Sequence, residues 1–308
     1  MIALTLAWLT LNAAAPLAYG PAASLTPAAI APQFQSRGRG WRRGGTDAPQ
    51  AGPPAAADQV VPYGSDPRQA VDFYAAPAGA SRPPLAIFIH GGGWRIGDRS
   101  RVAQKPAWFR FHGWAFASLG YRLLPDAPVE TQARDIADAI RALRRDAARL
   151  GFDPDRILLF GHSAGAHLAA LVSTDESLLG AELEAIRATI LLDGAGYDVP
   201  RQMADARFLA RRIYEPAFGT DPVRQRALSP ITYAGGGDVG EWLIIHSSGR
   251  ADSASQSNAF GMALRRAGAS VEVQPMNASH MEINRDFGTA GYTANASIAA
   301  LMRRVEGS

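Results

Sequence analysis

The sequence predicts an α/β architecture in which a mostly parallel central sheet carries helices on both faces. Two observations carry this. The runs Leu85–Ile89, Ile157–Phe160, Thr189–Leu192 and Trp242–Ile245 are apolar at successive positions. Strands apolar on both faces belong in parallel sheets sandwiched between helices. Between such runs lie helical patterns: Ile136, Ile140, Leu143, Ala147 and Leu150 recur at spacings of three and four, with Gly151 placed as a helix C-cap. Val71–Tyr74, Ala115–Leu119 and Val271–Val273 read as further strands. Ser255–Ala267 and Tyr292–Val305 read as further helices. Strands alternating with helices make residues 59–308 one domain. At 308 residues and 47% apolar, the chain has enough to bury in a sizeable core.

The N-terminal part reads differently. The first charged side chain is Arg37, and before it comes the apolar run Ile2–Leu11 followed by Ala/Pro-rich sequence. Ten apolar residues are too few for a membrane span of ~20, and small residues behind them suit a secretory leader. Residues 1–31 are therefore expected to direct export, to the periplasm or the medium. No Lys or Arg precedes the run, and a leader that does not function would leave the protein in the cytoplasm. Residues 32–58, with Arg-Gly repeats and then Pro49, Pro53 and Pro54, have little to bury and read as a disordered tether.

Composition excludes several chemistries. With no cysteine there is no disulfide, thiolate zinc site, iron–sulfur cluster or cysteine nucleophile. The net charge is +3. Arg37, Arg39, Arg42 and Arg43 against Asp47 and Asp58 put +2 on residues 1–58, so the other 250 carry +1. That near-neutrality offers no basic groove for a nucleic acid. Lys105 is the one lysine, a bias toward arginine that points to the genome rather than to a partner.

Two motifs stand directly after buried strands. Gly161-His162-Ser163-Ala164-Gly165 follows Ile157–Phe160 and leads into the helical run Ala166–Val172. A serine on such a sharp turn needs flanking glycines, because neighbouring chain must pass very close. The turn also sets the hydroxyl beside a helix N-terminus, which favours developing negative charge. The second motif, His90-Gly91-Gly92-Gly93-Trp94, follows Leu85–Ile89. Its glycines leave the amides of Gly92 and Gly93, with that of Ala164, able to cradle an oxyanion. An ordinary Gly-rich turn or a phosphate cradle is the alternative, but neither G-x-G-x-x-G nor G-K-[ST] is present.

A serine nucleophile needs a base, and the base an orienting acid, in the chain order Ser, acid, His. Of six histidines, His90 belongs to the glycine loop, His162 to the serine turn, and His167 lies one helical turn beyond it. His112 precedes a strand and His246 ends one. His280 alone follows the last strand, in the polar loop Asn277–His280, and is the expected base. Between residues 242 and 279 the acids are Asp252 and Glu272. Glu272 alternates with valines inside a strand. Asp252, in the loop His246–Ser253 after a central strand, is the expected acid.

The stretch from about residue 70 to 300 resembles the α/β-hydrolase fold of the esterase/lipase superfamily. His90–Trp94, Tyr121-Arg122-Leu123, Asp153–Arg156, Gly161–Gly165, Ser229-Pro230 and the His280–Asn284 segment carry the likeness. It is similar to small bacterial carboxylesterases and to kynurenine formamidases. It departs from the hormone-sensitive-lipase branch in having His162 where that branch has Asp. The resemblance implies a serine esterase acting on small-molecule esters without metal or organic cofactor. It also implies Trp94 as a substrate-binding wall. Residues 194–241, including Pro200–Tyr214, are expected to form a small lid, with Glu215–Gly219 a loop returning to the sheet. A short lid suits short-acyl esters. An arylformamidase, or a non-catalytic binding member of the fold, are the alternative readings. The sequence says nothing of oligomeric state.

Overall fold

A computed structural model describes residues 56–307 apart from 207, 236 and 238. The expected leader and nearly all of the tether therefore lie outside the described residues. The tether's last residues, Ala57 and Asp58, already join the domain: Ala57 packs on the core, and Asp58 hydrogen-bonds across to Phe73 and Ala75.

Eight strands form one sheet: β1 (Gln59–Pro62), β2 (Ala70–Tyr74), β3 (Leu85–Ile89), β4 (Ala115–Leu119), β5 (Ile157–His162), β6 (Ile186–Leu192), β7 (Glu241–Ser247) and β8 (Ser270–Met276). Their order is β1-β2-β4-β3-β5-β6-β7-β8. The first two ladders are antiparallel and the rest parallel. The predicted strands are all present, and β1 is an addition. Its four residues, two of them exposed, carry too short a pattern to read.

The helices are α1 (Lys105–Phe111), α2 (Val129–Arg145), α3 (Ala147–Leu150), α4 (Ala164–Thr174), α5 (Glu176–Leu179), α6 (Val199–Asp205), α7 (Phe208–Phe218), α8 (Pro222–Ala227), α9 (Ala251–Arg266), α10 (His280–Arg285) and α11 (Asn295–Glu306). One face of the sheet packs Ile136, Ile140 and Leu143 of α2, Leu168 of α4, and Phe260 and Leu264 of α9. The other packs Trp108 and Phe109 of α1 with Ile298, Leu301 and Val305 of α11. Both faces are thus covered, which is why β3 and β5 are buried along their whole length. Gly151 caps α3 at φ 79°, as its position predicts.

Several boundaries differ from expectation, among them the last helix, α11, which starts three residues after the expected Tyr292. Glu215–Phe218 is not a returning loop but the last turn of α7, which runs through Pro216. Fully buried Ala217 and Phe218 keep it helical, with Phe218 against Trp94 and His167, so tertiary packing outweighs the missing N–H. Likewise α9 starts four residues before the predicted Ser255.

The lone lysine is fully buried. Lys105 donates from Nζ to the Asn284 carbonyl at 2.7 Å and lies 4.7 Å from the Phe88 ring centroid. Burial pushes its ammonium down to about 7. An unfolded chain keeps that proton up to about 10.4. Between the two values the unfolded state binds more protons, so stability rises with pH across this window and the cost is fully present below about 7. We expect Lys105→Met, measured against wild type by calorimetry, to gain at least about 5 °C in relative Tm at pH 6 compared with pH 10. An equal difference at both pH values would mean the buried amine carries no such cost.

Candidate active site

Parallel pairing sets the carboxyl ends of the central strands side by side. Ile89 pairs with Gly161, His162 with Leu192, and Leu192 with Ile245. The residues that follow, His90, Ser163, Asp193 and His246, therefore stand in a row above the sheet.

Ser163 caps α4 in a left-handed conformation, φ 57° and ψ −121°, with its N–H bonded to the Leu192 carbonyl at 3.0 Å. The flanking glycines leave no room for side chains. A Cβ on Gly161 would collide with the Gly165 carbonyl, and one on Gly165 with the carbonyls of Ile89 and His90. This backbone strain is held in place by packing on all sides.

The glycine loop is buttressed from beneath. The His90 ring stacks on Tyr121 with centroids 4.4 Å apart, and the Tyr121 hydroxyl donates to the His90 carbonyl at 2.7 Å. Burial pushes His90 down to about 4, so the ring is neutral and donates from Nδ1 to the Gly91 carbonyl at 2.8 Å. Gly92 and Gly93 have φ of 126° and 59°. Among the described residues the amides of Gly92, Gly93 and Ala164 donate to no protein acceptor. Trp94, at φ 61°, lines the cavity, but its ring packs edge-on against His167 and Phe218.

His280 is the first residue of α10 rather than part of a loop. Ser279 closes a capping box with Glu282, which fixes the backbone at this point. The His280 carbonyl accepts from Nε2 of His162 at 2.9 Å. Burial, with His280 adding, pushes His162 down to about 3, so His162 is a neutral brace between the serine turn and α10.

The carboxylate beside His280 is where the structure departs from the sequence reading. His280 Nδ1 donates to Oδ2 of Asp193 at 2.6 Å, not to Asp252. Asp252 sits in the first turn of α9, which aims its half-exposed carboxylate at Arg250, 3.0 Å away. Asp193 ends β6 at φ 45°, a conformation that aspartate tolerates better than most residues. Its side chain is fully buried. Oδ1 accepts from the Ser247 amide at 2.9 Å and the Ser253 hydroxyl at 2.7 Å. Oδ2 accepts from His280 and from Nη1 of Arg250 at 2.8 Å. Burial alone would raise this carboxyl, but the His280 bond, the Ser247 amide, the Arg250 charge and the Ser253 hydroxyl hold it well below the usual carboxylate range. Its signal was available: an acid directly after a buried central strand, between Ser163 and His280 in the chain.

Ser163, Asp193, His280, Gly92, Gly93, Ala164 and Trp94 all line one cavity of about 480 Å³. Tyr214 and Ile213 of α7, within the segment expected to form a lid, form part of its wall. Among the described residues no cluster of three or more His, Asp or Glu could hold a metal ion, and no helix is long and apolar enough to cross a membrane.

The strand order and serine turn are those of the α/β-hydrolase fold, and residues 71–190 match the BD-FAE family model. The fold and the matches support an α/β-hydrolase of the esterase/lipase superfamily. It is 30% identical over 233 residues to Esterase LipQ of Mycobacterium tuberculosis, covering 70% of this chain and 54% of that protein. Esterase LipC of the same organism is 29% identical over 209 residues, 61% of this chain and 50% of that protein. The chain thus spans about half the length of these curated relatives. The structure of the thermophilic esterase Est2 of Thermogutta terrifontis superposes with a TM-score of 0.64 at 25% identity, over 81% of this chain and 91% of that one.

Proposed function

We propose that this protein is a serine carboxylesterase acting through an acyl-enzyme on Ser163. The observation that carries this reading is the 2.6 Å bond from His280 to buried Asp193, in the same cavity as a serine held at φ 57°. Ser163 Oγ attacks the ester carbonyl and its proton passes to His280 Nε2. Asp193 holds the tautomer with Nε2 free and stabilises the imidazolium. The unpartnered amides of Gly92, Gly93 and Ala164 receive the oxyanion. His280 then protonates the departing alcohol. Water enters, gives a proton to His280 and attacks the acyl carbon. Ser163 leaves with that proton, and the carboxylic acid is released.

The names of LipQ and LipC support ester hydrolysis. Trp94 and Tyr214, rings 6.2 Å apart, close one wall of the cavity, which favours short acyl groups. An arylformamidase would use the same residues with Trp94 as a stacking wall, but that ring is already packed on His167 and Phe218. Side-by-side rates on p-nitrophenyl acetate, butyrate and octanoate and on N-formylkynurenine decide. We expect kcat/KM on acetate or butyrate to exceed both other classes by at least about tenfold. Preference for the formamide would reassign the substrate. Failure of a fluorophosphonate probe to label Ser163 in folded protein would leave a binding protein.

A further inference from the structure

We propose that Arg250 is a positioning residue of this site, one that holds the Asp193 carboxylate onto His280. The proposal rests on the esterase reading above. Arg250 immediately precedes α9 and reaches back over the end of β6. One nitrogen, Nη1, meets both ends of Asp193: the carbonyl oxygen at 3.2 Å and Oδ2 at 2.8 Å. It also lies 2.9 Å from Nδ1 of His280. Nδ1 already donates to Oδ2, so two donors converge on one oxygen, and the 2.9 Å approach is the geometric result. The other arm, Nη2, donates to Asp252 at 3.0 Å. Asp252 is thereby the counter-ion of the positioning residue. Arg250 and Tyr214 of α7 both line the cavity.

What Arg250 adds is specific. The Ser247 amide and Ser253 hydroxyl fix Oδ1. Arg250 supplies the second donor to Oδ2, the oxygen that His280 uses. A planar guanidinium spans carbonyl, carboxylate and a second acid at once, and a lysine cannot.

The test uses the full chain with Arg250→Met and Arg250→Lys. Two readouts are followed: turnover of p-nitrophenyl acetate and the low-field proton resonance of the His280 Nδ1–H. Arg250→Met is expected to lower kcat by about 30- to 100-fold with KM within about threefold, and to broaden or shift the resonance. Arg250→Lys should remain at least about tenfold below wild type, because charge without the fork does not fix Oδ2. An Arg250→Met protein with kcat within about threefold of wild type and an unmoved resonance overturns the proposal, even if its Tm has fallen. If that variant does not fold, Arg250→Lys decides, and wild-type kcat and resonance in it overturn the proposal. A wild type that neither turns over nor labels defeats the esterase reading instead, while the resonance still reports whether Arg250 governs the Asp193–His280 pair.

Discussion

Asp193→Asn is expected to lower ester turnover by about 10⁴, the loss seen when a triad carboxylate becomes an amide. The amide presents one acceptor where four donors converge, and its NH₂ faces either His280 and Arg250 or Ser247 and Ser253. His280 then loses the partner that holds its proton on Nδ1, and Nε2 is no longer reliably the base. Asp252→Asn should cost less than about tenfold, since it touches His280 only through Arg250. The reverse ranking would return the acid to Asp252. The Asp193 carboxylate also contributes stability. Its folded-state value is depressed, so that contribution is present above the ordinary aspartate range and is lost as pH falls below about 4. Wild type should therefore melt progressively lower in acid, and Asp193→Asn much less so.

Ser163→Ala is expected to remove covalent chemistry altogether, with kcat falling by a factor on the order of 10⁶ and fluorophosphonate labelling abolished. What remains comes from the amides and from binding. Stability separates the serine's two aspects. Alanine has a Cβ and keeps the strain of φ 57°, so its Tm should stay near wild type. Ser163→Gly removes the nucleophile and the strain together, and should melt higher by about 2–4 °C for each kcal/mol of strain relieved. A Ser163→Ala enzyme retaining more than about 1% of wild-type turnover would place the nucleophile elsewhere.

The sheet was legible because burial on both faces writes a continuous apolar run that no exposed strand carries, as in Leu85–Ile89. The serine turn and glycine loop were legible because steric exclusion demands glycine at fixed offsets. Gly165, jammed against two carbonyls, is an example. The place of His280 in the site was legible by order along the chain. Asp193 was not, because a carboxylate needs only to reach His280, and two neighbouring strand ends offer that reach. Sequence spacing after β7 suggested an acid there, yet α9 begins at Ala251 and turns Asp252 away, leaving Arg250 beside the base. The course of α7 through Pro216 was hidden for a related reason: a local breaker was overruled by burial of Phe218, a contact with residues over a hundred positions away.

Placing the acid at the end of β6 has a consequence for recombining this enzyme with its relatives. The connection that leaves Asp193 is the same one that enters the lid: Gly194 accepts from Ser253, Tyr197 is fully buried, and Asp198 caps α6. An acid after β7 would leave residues 194–240 as an exchangeable cassette, bounded by strand ends that do no chemistry. Here the left boundary of any such graft falls within five residues of the carboxylate. Cap exchange that begins at Gly194 replaces the turn directly behind the carboxylate, including the carbonyl that Ser253 meets, whereas a junction after Asp198 keeps that turn and delivers only new cavity walls. Libraries cut at the strand end should therefore lose more activity than libraries cut after Asp198 that carry the same new walls.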